Sequence, residues 1–212
     1  MAVVALSVSV LAGSCSESAE SRGDIYQVIP MSCIGEIPVR ATGMAVTPNL
    51  IATAAHTFDR AAGVKLRDET GVEMTAEVVY ADFDKDIALV TADPPNNHIF
   101  ERGQPEDGTE VRLISYDNAE SGPEVKQGTL LRTVTVTLDG EGRRSALELE
   151  ADIERGDSGG PVLDGEGQAV GMVFASSRRG ERGWAVTFDE IETAIDSYHD
   201  GARRPLDVDC DS

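Results

Sequence analysis

Short apolar and β-branched runs follow one another along this chain, with turn residues between them and almost no helical periodicity. They are Gly43–Thr47, Leu50–Ala54, Gly63–Leu66, Ala76–Tyr80, Ile87–Thr91, Val111–Tyr116, Gly128–Leu138, Ala146–Leu149, Pro161–Leu163, Ala169–Ala175 and Trp184–Thr187. Asp139-Gly140 and Asp164-Gly165 are turn signals of the kind that separate neighbouring strands. So many short strands without intervening helices predict an all-β fold, a barrel or a sandwich. A single helix is predicted over Asp189–Tyr198: Asp189 and Glu190 complement its first turn, and Ile191, Ala194 and Ile195 share one face. The Pro-, Asn- and Gly-rich stretch from Asp93 to Gly108 divides the strands into two halves of similar size and reads as a linker.

The two ends differ from this pattern. Ala2–Ala12 is an apolar run of signal-peptide length, too short to span a bilayer. It leads into Ala12-Gly13-Ser14-Cys15, which is similar to a bacterial lipobox; Cys15 would then be the lipidated residue that anchors the chain to a membrane. A plain cleaved signal peptide is the alternative. Residues 1–14 are therefore assigned to a signal segment, 15–24 to a polar tether, 25–200 to the folded domain and 201–212 to a tail. The expected location is outside the cytoplasm, either anchored in the cell envelope or secreted. In such an oxidising compartment Cys33 and Cys210, one near each end of the domain, form either a disulfide or two buried thiols.

Charge narrows the partners. Asp and Glu number 38 against 18 Lys and Arg, a formal net charge of -20. Such a surface repels phosphate backbones, so nucleic acid is excluded as the expected partner and polypeptides are favoured. Only three lysines occur, Lys65, Lys85 and Lys126. The histidines His56, His98 and His199 show no ligand spacing with the cysteines, so neither a metal nor another cofactor is expected. The sequence does not fix the oligomeric state.

Chemistry concentrates in three places. Thr53-Ala54-Ala55-His56 delivers a histidine at the end of an apolar strand, where a rigid backbone can hold a general base. Asp86 directly precedes the buried run Ile87-Ala88-Leu89-Val90, a placement that draws its carboxylate inward; Asp82 and Asp84 lie further from that run. Gly156-Asp157-Ser158-Gly159-Gly160-Pro161-Val162 sets a serine between glycines, where backbone N–H groups can converge without Cβ interference. The pentad Gly156–Gly160 also fits the G-x-S-x-G elbow of α/β-hydrolases. That fold needs alternating helices and a catalytic histidine after the serine, and here only His199 follows it.

TAAH around His56, D-I-A-L from Asp86 and GDSGGPV around Ser158, in that chain order, resemble the trypsin-like (chymotrypsin-fold) serine proteases over roughly residues 33 to 197. Short loops and the absence of a PDZ-like segment resemble bacterial HtrA-like members without a PDZ domain. The segment VGMVFASS…GWAVTFDEI is similar to actinobacterial membrane-tethered periplasmic proteases. The resemblance implies two six-stranded antiparallel β-barrels, about 25–95 and 108–188, with a C-terminal helix over 189–198 and an active site in the cleft between the barrels. It implies that Ser158 is the nucleophile, His56 the base and Asp86 its orienting carboxylate, with Gly156 and Ser158 N–H groups forming the oxyanion hole. Counting back from Ser158 places Asp152 where trypsin-like enzymes keep a basic-P1 selector; otherwise Phe174, Ala175 and Ser176 line the cleft and favour an apolar or small P1. No Ile-Val-Gly-Gly start is present, so Asp157 is expected to be buried and to find another cation, an arginine, or a backbone donor. The function implied is a serine endopeptidase; the alternative is a catalytically gated or inactive regulatory module of the same fold.

Overall fold

The computed structural model describes residues 24–210 except 92, 94, 97, 117–121, 139–140, 178–180, 203, 207 and 209. The signal segment, Cys15, most of the tether and the Asp139-Gly140 turn lie outside the described residues, as does part of the 201–212 tail. The described residues form fourteen strands, one short 3-10 helix and one α-helix. The first half holds β1 (Ile25–Ser32), β2 (Gly35–Glu36), β3 (Ala41–Thr47), β4 (Leu50–Thr53), β5 (Gly63–Arg67), β6 (Glu73–Ala76), β7 (Val78–Asp82) and β8 (Ile87–Thr91). The second holds β9 (Glu110–Ser115), β10 (Glu124–Leu138), β11 (Glu141–Ala151), β12 (Pro161–Leu163), β13 (Ala169–Ser176) and β14 (Gly183–Thr187), followed by α1 (Phe188–His199).

The second half is a closed six-stranded barrel in the order β10-β11-β14-β13-β12-β9. The first half departs from the same expectation. It is an eight-stranded sheet in the order β6-β5-β1-β3-β4-β8-β7 with β2 paired to β1, and its ends do not join among the described residues. Each end is protected differently. Strand β6 is a short edge that carries Glu73, which pairs with Arg67 and Lys65. Strand β7 is covered by the chain after α1: Tyr80 bridges Arg204, whose guanidinium lies 5.5 Å over the Tyr80 ring and 3.1 Å from Asp82. Cys210 then joins Cys33 in a disulfide across 177 residues, so this strap fastens the end of the second half onto the first.

Strand-by-strand, apolar runs were legible and polar strand halves were not. Strand β1 escapes the reading because Gln27 and Pro30 interrupt it; Gln27 is nonetheless fully buried, its Oε1 accepting from Arg67 at 3.1 Å. Strands β10 and β11 extend well beyond the predicted Gly128–Leu138 and Ala146–Leu149, through charged residues that pair in register. The helix starts one residue earlier and ends one later than predicted, with Ile191 and Ala194 buried as its face required.

Each half has its own core, one around Val28, Ile51, Phe58 and Leu66, the other around Leu113, Leu130, Leu147 and Leu149. A third cluster crosses between them. It joins Met44, Ile87 and Leu89 to Ile114, Met172 and Phe174, with Phe188 and Ile191 of α1. Burying each such side chain contributes about 1.5–3 kcal/mol, so this shared cluster ties the two halves together. The linker is pinned as well: Phe100 N–H donates to Ala45 at 2.9 Å and Gly103 N–H to Ala169 at 2.8 Å.

Candidate active site

Strand β4 ends at Thr53, and the chain turns through a 3-10 helix over Ala55–Phe58 that carries His56 at the rim of the first half. Asp86 reaches it from the turn before β8. Its φ of +58° is one that few non-glycine residues adopt, and Asp and Asn adopt it at the lowest cost. Both carboxylate oxygens are committed to the same residue: Oδ1 accepts the His56 backbone N–H at 2.8 Å, and Oδ2 lies 2.8 Å from Nδ1. Two bonds fix the imidazole in place and in tautomer, with the proton on Nδ1 and the Nε2 lone pair free. Asp82 serves Arg204 and the Lys85 N–H instead, and Asp84 is exposed. His98 is an exposed partner of Asp24, and His199 ends α1.

Burial pulls the His56 pKa down, the hydrogen bond and charge of Asp86 push it up more strongly, and Arg144 opposes them. The net lies above the ordinary 6.5. Since a base must be neutral, activity is expected to rise with pH through a midpoint above 6.5. Stability moves the other way. A folded-state pKa above the unfolded one gives stability that is complete below about pH 6.5 and is lost as pH rises through the folded value. Chemical denaturation of the wild type and His56→Ala between pH 5.5 and 8.5 should therefore show the difference between them shrinking while peptidase activity grows. A gap that widens with pH would contradict this.

The Ser158 loop is built by contact with both halves. The Thr42 N–H donates to the Ser158 carbonyl at 2.8 Å, and Gly159 N–H to Val173 at 2.7 Å. The glycines have steric reasons. Gly159 has φ +85°, and a Cβ there would lie 1.9 Å from the Thr42 carbonyl oxygen; one on Gly160 would lie 2.5 Å from that of Ile114. Gly156 has φ +107° and its carbonyl accepts from Thr42 Oγ1 at 2.9 Å. Neither the Gly156 nor the Ser158 N–H donates to an acceptor among the described residues, at the two positions where the resemblance implies an oxyanion hole.

Asp157 is completely buried beneath this loop, and its cation is a lysine rather than an arginine. Lys126 Nζ lies 2.9 Å from Oδ2, which also accepts Glu154 N–H at 2.8 Å, while Ser115 Oγ donates to Oδ1. Burial lowers the Lys126 pKa, but the bond and charge of Asp157 more than reverse this, so the ammonium is retained. Lys126→Met strands a buried carboxylate, and the oxyanion donors it supports should loosen. A loss of kcat of about 10²–10³-fold is expected, of the size of one oxyanion donor. Recovery in Lys126→Met/Asp157→Asn would locate the effect in that pair; a kcat within twofold of wild type in the single variant would refute it.

The specificity residues fall unevenly. Asp152 is exposed, because the alternation of β11 continues past its end and turns Ile153 inward instead. Ile153 is buried against Gly183, where a Cβ would lie 1.9 Å from the Ile153 Cδ1. Asp152 thus does not form the floor of a buried pocket. Phe174 is buried in the cluster between the halves, Ala175 is half-buried and Ser176 exposed. Sequence reasoning missed Thr42, Ser115 and Lys126, which act on the loop from strands remote in sequence. It also missed Arg144, which was placed outside the predicted strand. No group of three or more His, Cys, Asp or Glu able to hold a metal occurs among the described residues.

A closed barrel joined to a curled sheet, with His56, Asp86 and the Ser158 loop brought to the boundary between them, defines the chymotrypsin-type class of serine peptidase fold. The chain belongs to the trypsin-like peptidase domain family, whose model matches residues 41–172, more than half of its length. It is 28% identical over 176 residues to the serine protease Rv3671c of Mycobacterium tuberculosis H37Rv and, equally, to the serine protease MT3772 of strain CDC 1551. These alignments cover 79% of this chain and 44% of each relative, so the chain spans less than half the length of the curated relatives it matches. The fold is shared with the active form of the Rv3671c protease (TM-score 0.77, 21% identity, 88% of this chain and 84% of that one). It is shared also with the HtrA-type protease AlgWS227A with tripeptide (TM-score 0.75, 18% identity, 84% and 61%).

Proposed function

We propose that this chain is a serine endopeptidase acting on polypeptides through His56, Asp86 and Ser158. Ser158 Oγ attacks the scissile carbonyl carbon while His56 Nε2 accepts its proton, and the oxyanion takes the Gly156 and Ser158 N–H bonds. The proton passes to the leaving amine as the C–N bond breaks, leaving an acyl-enzyme on Ser158. A water deprotonated by His56 then cleaves the ester and restores the hydroxyl. The observation that carries this reading is the pair of hydrogen bonds from the His56 backbone N–H and Nδ1 to the two Asp86 oxygens, which leaves Nε2 as the acceptor of the ring. The available Gly156 and Ser158 N–H groups and the satisfied Asp157 favour a competent enzyme over a gated module.

The exposure of Asp152, outside any buried pocket floor, favours an apolar or small P1 over a basic one. A peptide library should show cleavage after Ala, Val or Leu and none after Arg or Lys. Dominant cleavage after Arg or Lys would overturn this preference; no cleavage of any peptide would overturn the endopeptidase reading. The Cys33–Cys210 disulfide supports an oxidising location, and we place the domain outside the cytoplasm, tethered through Cys15.

A further inference from the structure

Strand β11 carries an arginine where a barrel would be expected to place an apolar side chain. Arg144 is in phase with Ala146, whose side chain packs in the cluster between the two halves. It is 3% exposed, and its guanidinium lies 4.8 Å over the Phe174 ring and 3.8 Å, Nη1 to Oδ2, from Asp86. Neither Nε nor Nη1 makes a hydrogen bond among the described residues. A buried guanidinium so incompletely satisfied destabilises a fold, and an apolar side chain of similar volume would serve packing better. Features that break local rules in this way concentrate at functional sites.

Its neighbours hold it where it is. Lys85, adjacent to Asp86, donates Nζ to the Arg143 carbonyl and to Glu190 of α1, and Glu190 in turn accepts the Ser145 N–H at 2.8 Å. The Asp86 turn of the first half is thereby docked on residues 143–145 of the second. Asp86 Oδ2 is shared between the His56 Nδ1 proton on one side and a fixed cation on the other.

We propose that Arg144 is a positioning residue of the active site, one that anchors the Asp86 carboxylate from the opposite half and counterbalances its pull on the His56 proton. The inference rests on the endopeptidase reading for its consequence and on geometry alone for its existence. Asp86 strengthens the hold of the imidazole on its proton, and the Arg144 charge acts in the opposite direction. The charged groups facing the His56–Asp86 pair are Arg144 from β11 and, directed away from it by its bonds to Arg143 and Glu190, Lys85. Arg144 therefore keeps Nε2 available at lower pH.

The test is an NMR titration of the His56 imidazole in the wild type, Arg144→Met and Arg144→Lys, alongside the acid limb of kcat/KM for each. Arg144→Met should raise the His56 midpoint by roughly 0.5–1 pH unit, and the acid limb should move with it. Below both midpoints this lowers kcat/KM by about three- to tenfold. Arg144→Lys should return the midpoint toward the wild-type value, and Arg144→Met should unfold at no lower temperature than the wild type. If Arg144→Met does not fold, Arg144→Gln against Arg144→Lys carries the same comparison. An unmoved midpoint, whatever happens to activity, overturns the proposal. A wild type that hydrolyses no peptide overturns the endopeptidase reading instead, and the titration still reports on Arg144.

Discussion

Ser158→Ala is expected to lower kcat on a peptide substrate by on the order of 10⁶-fold without unfolding the protein. The size follows from what the hydroxyl does: without Oγ there is no acyl-enzyme, and His56 has no proton to take. What survives is the part of the rate that comes from binding and oxyanion stabilisation, about 10³–10⁴-fold over water. The fold should be indifferent, because none of the bonds that shape the loop is made by the Ser158 hydroxyl. Thr42 N–H holds the Ser158 carbonyl, Gly159 N–H is held by Val173, and Thr42 Oγ1 holds the Gly156 carbonyl. The His56→Ala/Ser158→Ala double variant should be no slower than Ser158→Ala alone, since the two side chains act as a unit. Steady-state kinetics with thermal unfolding of each variant measures all three expectations. A Ser158→Ala enzyme that keeps more than a few per cent of its activity would mean that another nucleophile is at work.

Asp86→Asn should lower kcat by about 10⁴-fold. The direction follows from the two bonds at His56. The backbone N–H of His56 is a donor and must face an acceptor, so the asparagine carbonyl oxygen takes the Oδ1 position. The amide NH₂ is then left facing Nδ1, which must become the acceptor. The ring proton moves to Nε2, and the side of the imidazole that should accept the Ser158 proton carries one already. Asparagine tolerates the +58° φ of position 86 as aspartate does, so little of the loss should come from the backbone. Asp86→Ala should be less informative, since it also frees the His56 N–H and leaves Arg144 without its counter-charge. A loss in Asp86→Asn of under 100-fold would show that the tautomer is set by some other group.

Much of the local geometry around the candidate site was legible because its residues are short-range signals. The glycines of the Ser158 loop report steric contacts with the Thr42 and Ile114 carbonyls, and the apolar run after Asp86 reports its burial. The helix over 188–199 was legible for the same reason, through the spacing of Ile191 and Ala194. What escaped depends on contacts between strands far apart in sequence. Lys126 reaches Asp157 across 31 residues and Thr42 reaches Gly156 across 114, and no local pattern encodes either. Strand β11 was read from its apolar centre alone, so Arg144 fell outside it, although its period-two phase with Ala146 points inward. Counting back from Ser158 to Asp152 failed to yield a pocket floor for a related reason. Strand alternation, not distance along the chain, decides that Ile153 faces in and Asp152 out.

The most direct measurement is labelling with a fluorophosphonate, which forms a bond only with an activated serine, followed by mass mapping of the adduct. At a pH above the His56 midpoint the wild type should carry one adduct, on Ser158. Ser158→Ala should carry none, and Asp86→Asn should be labelled slower by about the factor lost in kcat, on the order of 10⁴. Equal labelling of Ser158→Ala, or a wild type that takes no label at that pH, would contradict the account of this chain as a serine endopeptidase.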